Sequence, residues 1–136
     1  MEQDQKFSVS HLDKSQFRID GLRPFFEYRD LGINDATHGR VLAHVIRARP
    51  GVPMKPQRHH HEVQFQMVYV LKGWIRFVYE GQGEQMFHAG DCVVQPAGIV
   101  HNELECSDDV EILEVYSPAV HETRVVEKMP EAVAAR

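Results

Sequence analysis

The sequence predicts an all-β domain, a single antiparallel barrel or sandwich. Three observations carry that reading. The apolar runs are short and rich in β-branched and aromatic residues. Gly, Pro, Asn and Asp punctuate them as turns. No long amphipathic helical pattern occurs ahead of the C-terminal stretch. At 136 residues, the chain is one ordinary domain with enough apolar residues for a single core.

The elements follow in order. Residues 1–20 are polar with scattered Phe and Leu and read as an N-terminal arm. The barrel is assigned to 21–118 and a C-terminal tail to 119–136. Leu22–Asp30 is an aromatic strand or turn, and Gly39–Arg49 is a β-branched strand. Pro50, Gly51, Pro53 and Pro56 impose a loop. Gln64–Leu71 is a strand closed by Lys72-Gly73, and Trp74–Glu80 follows it. Gly81-Gln82-Gly83 signals a hairpin into Glu84–His88. Cys92–Gln95, Ile99–Cys106 and Val110–Tyr116 complete the strands, and the chain ends EAVAAR, a candidate short helix or disordered segment. Within Trp74–Glu80, alternation puts Ile75, Phe77 and Tyr79 on one apolar face.

Composition excludes several function classes. The formal net charge is −5, which is wrong for sequence-independent binding to nucleic acid or an anionic membrane surface. No apolar run approaches a membrane span, and the start lacks the apolar stretch of a secretory signal, so a cytoplasmic location is expected. Cys92 and Cys106 form no metal or redox pair and are expected to be buried thiols. There is no nucleophile elbow, phosphate-cradling glycine loop or dinucleotide fingerprint.

The informative feature is histidine, of which there are nine. His59, His60 and His61 are consecutive. On an extended segment His59 and His61 share a face and His60 points away, so two imidazoles converge as half a metal site. Four residues separate His61 from Gln66, and six more lead to Gly73. Further on, Gly90 is followed by five residues, Pro96-Ala97-Gly98, two residues and His101.

These two glycine-anchored blocks resemble the paired motifs of the cupin superfamily. The resemblance implies a cupin-type β-barrel, a double-stranded β-helix or jelly roll. It implies one divalent transition metal ion (Zn, Ni, Fe or Mn) held by His59, His61, Gln66 and His101. Three departures stand out. The stretch before His59 is two residues longer than the usual motif, Glu105 stands where Asn is common, and Gln66 occupies the position of a glutamate ligand. A neutral amide oxygen leaves the ion's charge undiminished, so the site should be a strong Lewis acid that favours anionic ligands. Some metal-binding cupins that process unsaturated uronates resemble this set of three His and one Gln.

Other residues are candidates for the same pocket. Glu103 and Glu105 share strand parity with His101, provided no bulge intervenes, and either carboxyl is a candidate general base. His44 is a further catalytic candidate. Arg47 is a candidate clamp for a substrate carboxylate, Tyr69 a hydroxyl donor and Phe77 a pocket wall. The leading expectation is a metal-dependent isomerase or lyase acting on a small oxygenated anion such as a sugar acid or a hydroxy or keto acid. A metal-dependent dioxygenase and a non-catalytic metal- or ligand-binding module are the alternatives. Edge strands make a homodimer the expected assembly.

Overall fold

The structure is a computed structural model that describes residues 5–19, 23–49, 51–55, 57–120 and 123–126. The expected helix or disorder in the last residues, 131–136, lies outside the described residues. Among the described residues, ten strands form two antiparallel five-stranded sheets. They are β1 (Phe26–Asp30), β2 (Leu42–Ala48), β3 (His59–His61), β4 (Phe65–Lys72), β5 (Trp74–Tyr79), β6 (Gly83–His88), β7 (Cys92–Val94), β8 (His101–Cys106), β9 (Glu111–Ser117) and β10 (Thr123–Val125). One sheet runs β1-β2-β9-β4-β7 and the other β10-β3-β8-β5-β6. The one α-helical turn among the described residues is Ile33–Ala36, in the β1–β2 connection. The sequence thus yields the all-β class and a jelly-roll arrangement of two facing sheets.

Alternation produces the core. Ile75, Phe77 and Tyr79 of β5 are buried and face Val68 and Val70 of β4 and Ile46 and Ile112 of the opposite sheet. The register orders these residues along the sandwich. Ile46 lies opposite Ile112, and Ile112 opposite Val70, which makes one apolar layer. Two residues along each strand, His44 lies opposite Glu114 and Glu114 opposite Val68. One step further, Tyr116 pairs with Gln66, and on the other sheet Tyr79 pairs with His101. The interior therefore turns from apolar to polar along the strands, and the polar end is where function must be sought.

The outer surfaces carry two details. Arg18 forms an isolated antiparallel bridge with Tyr28 of β1. The segment after residue 118 supplies β10, which pairs with the histidine strand β3. Neither cysteine is the buried thiol expected: Cys92 is exposed because it sits at an outward position of the edge strand β7, and Cys106 is half-buried.

The chain crosses between sheets at Gly73, which has φ +72°. A Cβ there would overlap Ser107 Oγ and come within 2.7 Å of Asp109 Oδ1 and 3.0 Å of the Val110 backbone. Gly90 has φ +96° but nothing within 4 Å of a Cβ. Both alanine substitutions meet the left-handed penalty of about 1–2 kcal/mol. Gly73→Ala adds an overlap of about 1–3 kcal/mol. Urea unfolding should therefore show Gly73→Ala the more destabilised of the two, and equal losses would refute the contact argument.

Candidate metal centre

The strand period places the histidines. His59 and His61 are buried, while His60 between them is half-buried on the opposite face. His59 lies directly opposite His101 across the β3–β8 pair. The Pro96-Ala97-Gly98 turn delivers His101 to that point, with Gly98 at φ +75° and its N–H donating to the His61 carbonyl at 3.1 Å. The ring centroids of His59 and His101 are 4.2 Å apart, those of His59 and His61 4.9 Å, and those of His61 and His101 5.1 Å. One ligand nitrogen from each imidazole lies within 4.8 Å of the other two.

The outer nitrogens are already engaged. His101 Nδ1–H donates to the Ile99 carbonyl at 3.0 Å, and His59 Nδ1 lies 2.8 Å from the Gln57 carbonyl. A carbonyl only accepts, so the Ile99 bond fixes the His101 tautomer and leaves its Nε2 a lone pair, whereas His59 Nδ1 also meets the Arg23 guanidinium, which only donates. His61 Nδ1 is bonded to Thr123 Oγ1 at 2.8 Å, from β10. Burial, reinforced by the neighbouring His101 and Arg23 charges, pushes the His59 imidazole down to about 2. Burial likewise lowers His101 to about 4. Three converging imidazoles, with His59 and His101 held neutral by burial, are the donor set a late first-row divalent ion requires. The residues present fit such an ion.

A second cluster lies beside the histidines. Gln66 is 3% exposed, and its Nε2 donates to Glu114 Oε2 at 2.9 Å. Glu114 Oε1 accepts from His44 Nε2 at 2.7 Å. Burial alone would raise the Glu114 carboxyl, but the hydrogen bond and charge of His44, with help from His61 and Gln66, hold it below the usual range. His44 is flanked by the rings of Tyr28 and Tyr116 at 5.2 and 5.8 Å. On the other side Arg23, 6% exposed, meets His59 Nδ1 through its Nη2 and Gln57 Oε1 through its Nη1. Its Nε lies 3.6 Å from Glu103 Oε2. Glu103 Oε1 is 3.8 Å from His59 Nε2, and burial raises the Glu103 carboxyl to about 7 against the opposing pull of Arg23. These groups share a cavity of about 480 Å³ whose apolar wall includes Phe26, Ile46, Val68, Phe77 and Ile112.

The structure brings His44, His59, His61, Gln66, Phe77, His101 and Glu103 to this cavity and leaves Arg47, Tyr69 and Glu105 outside it. Glu105 is displaced by a bulge at Leu104. Phe77 pairs with Glu103, but its neighbour Arg76 pairs with Glu105. One extra residue reverses the parity, so Glu105 points outward to Arg76, at 3.2 Å. Arg47 and Tyr69 each stand three positions from a cavity residue of the same strand, His44 and Gln66, and therefore on the opposite face. Arg47 instead pairs with Glu27 and covers the Phe17 ring at 3.7 Å. Sequence reasoning missed Arg23 and Glu114. Glu114 left a signal, since it shares the apolar parity of Ile112 in β9; Arg23 lies just before β1 and left none.

Solved structures share the fold. The polyketide cyclase RemF from Streptomyces resistomycificus matches 89% of this chain and 86% of its own, with 19% identity and a TM-score of 0.71. KdgF from Halomonas sp. matches 82% of this chain and 94% of its own, with 20% identity and a TM-score of 0.65. A sugar phosphate isomerase of the cupin superfamily from Silicibacter pomeroyi matches 87% of this chain and 81% of its own, with 25% identity and a TM-score of 0.67. No curated protein matches this sequence. The family model described as a cupin domain matches residues 45–116, a span that holds both glycine-anchored blocks and all three clustered histidines. The chain belongs to the cupin family.

Proposed function

We propose that this chain is a metal-dependent enzyme that isomerises, or eliminates from, a small oxygenated anion such as a sugar acid or a hydroxy or keto acid. One observation supports this most. A three-histidine cluster, a carboxylate-oriented imidazole and a buried guanidinium converge on a single cavity. His59, His61 and His101 would hold the ion, with the Gln66 amide beside them. When bound, the ion supplies Lewis-acid stabilisation of a developing enolate oxygen.

The chain's own residues supply the rest. His44 Nε2–H is held by Glu114, which leaves Nδ1 the lone pair of a base able to take and return a proton. Arg23 brings a fixed positive charge that draws a carboxylate into the cavity and orients it. Phe77, Val68 and Ile112 limit water around the reacting carbon.

The test starts with elemental analysis of freshly purified protein. Small 2-hydroxy and 2-keto acids and sugar acids are then incubated in D₂O and followed by NMR. Metal-dependent deuterium uptake at a carbon next to the carboxylate or carbonyl is expected. His44→Ala should lower its rate by about 10²–10⁴-fold while keeping the metal. Metal-loaded protein that exchanges no proton with any of these acids would overturn the enzymatic reading.

The assembly proposed is a homodimer. The outward face of β4 and β7 exposes Phe65, Tyr69, Leu71 and Val94, with Lys72 opposite Glu111 at one end. An exposed apolar stripe of this kind can pack against its own copy, and sedimentation of the same preparation reads the outcome. No helix among the described residues is long and apolar enough to cross a membrane.

A further inference from the structure

We propose that Glu114 is a positioning residue of the metal centre. It fixes the Gln66 amide and keeps one negative charge a single hydrogen bond away from the ion instead of on it. This rests on the metal centre proposed above and is independent of the reaction.

The argument is one of donors and acceptors. An ionised carboxylate has no proton to give. Glu114 accepts at both oxygens, from His44 Nε2 at 2.7 Å and Gln66 Nε2 at 2.9 Å. The Gln66 amide must therefore turn its NH₂ toward Glu114. A flipped amide would set a carbonyl oxygen against a carboxylate oxygen at hydrogen-bond distance. With Nε2 committed, Oε1 is the atom left for the cavity that Gln66 shares with His59, His61 and His101. The side chains of Glu114 and His44 are only 17% and 13% exposed, so water cannot readily replace either partner.

The same geometry explains why position 66 carries an amide. Two carboxylates at this separation cannot both ionise. A carboxyl introduced at position 66 beside Glu114 would lose its charge or repel its neighbour. The two positions are coupled. Gln66 with Glu114 satisfies every bond, and so does the double exchange Gln66→Glu/Glu114→Gln. In that exchange the amide at position 114 donates its NH₂ to the carboxylate at position 66, and its carbonyl accepts from His44. The natural order gives an electrophilic ion with a compensating charge nearby, whereas the exchanged order places that charge on the ion.

The test titrates metal-free protein with Co²⁺ and reads affinity and ligand set from the d–d absorption bands, with thermal melts showing which variants fold. Four proteins are compared: wild type, Glu114→Gln, Gln66→Glu and the double exchange. Glu114→Gln should weaken Co²⁺ binding by about 10–100-fold and alter the bands, because the Gln66 amide is no longer held. Gln66→Glu should bind more weakly than the double exchange, which should equal or exceed wild type. If Glu114→Gln does not fold, Gln66→Glu against the double exchange reads the same coupling. Strictly additive affinities, or wild-type affinity and bands in Glu114→Gln, would overturn the positioning role while leaving the metal centre standing. A wild-type protein that takes up no Co²⁺ would overturn the metal centre and this inference together.

Discussion

Replacing His101 with alanine is expected to remove stable metal retention, and replacing His60 is expected to leave it nearly intact. His101 is 2% exposed and faces His59 across the β3–β8 pair. Its Nδ1 is tied to the Ile99 carbonyl, so its remaining nitrogen is presented to the cluster in one orientation. Two imidazoles on β3 alone make a weak site, because a divalent ion loses both a donor and the closure of the ring of ligands. A loss of more than about 100-fold in affinity follows, beyond what disturbing an outer hydrogen bond produces. His60 shares the strand and side chain but has the opposite parity, and it lines no part of the cavity. Competition against a chelator, with metal counted per chain, measures both variants. Equal losses from His60→Ala and His101→Ala would mean that the period of two does not select the ligands.

What could be read from the sequence divides along physical lines. Parity within a strand is local, and it brought His59 and His61 together without help from the rest of the chain. The turn at Pro96-Ala97-Gly98 is also local, so His101 could be aimed before its partners were known. Glu103 and Glu105 could not be separated this way, because the bulge at Leu104 is set by pairing with β5 across the sheet. Arg47 and Tyr69 carried the right chemistry on the wrong parity, which the period of two already opposed at His44 and Gln66. Glu114 and Arg23 depend on pairing between segments far apart in sequence. Glu114 reaches Gln66, 48 positions away, and Arg23 reaches His59, 36 positions away. No local pattern encodes such meetings. The role of the chain after residue 118 was equally hidden: β10 is three residues long and supplies Thr123 to His61.

Arg23→Met is expected to destabilise the metal-free protein by roughly 1 kcal/mol more near pH 8 than near pH 5.5. Arg23 and Glu103 are both buried, and the Arg23 Nε and Glu103 Oε2 atoms have no other partner. Removing the guanidinium leaves a carboxylate without compensation in a cavity that burial already makes hostile to it. The pH dependence follows from the direction of the Glu103 shift. Its folded value is raised to about 7 from an ordinary 4.5, so between those values the folded chain holds a proton that the unfolded chain has released. The Glu103 contribution therefore falls as pH rises through that window, and the loss is complete above about 7. Without Arg23 the carboxyl rises further, so the cost of the substitution grows with pH. At the acid end Glu103 is neutral in the folded chain and asks nothing of Arg23. Arg23→Met/Glu103→Gln should recover most of the stability and lose the pH dependence, because no unpaired charge remains. Urea unfolding of the three metal-free proteins at both pH values decides the matter. A stability difference that stays flat with pH, or a double variant no more stable than Arg23→Met, would show that the guanidinium acts through packing and not through its charge on Glu103.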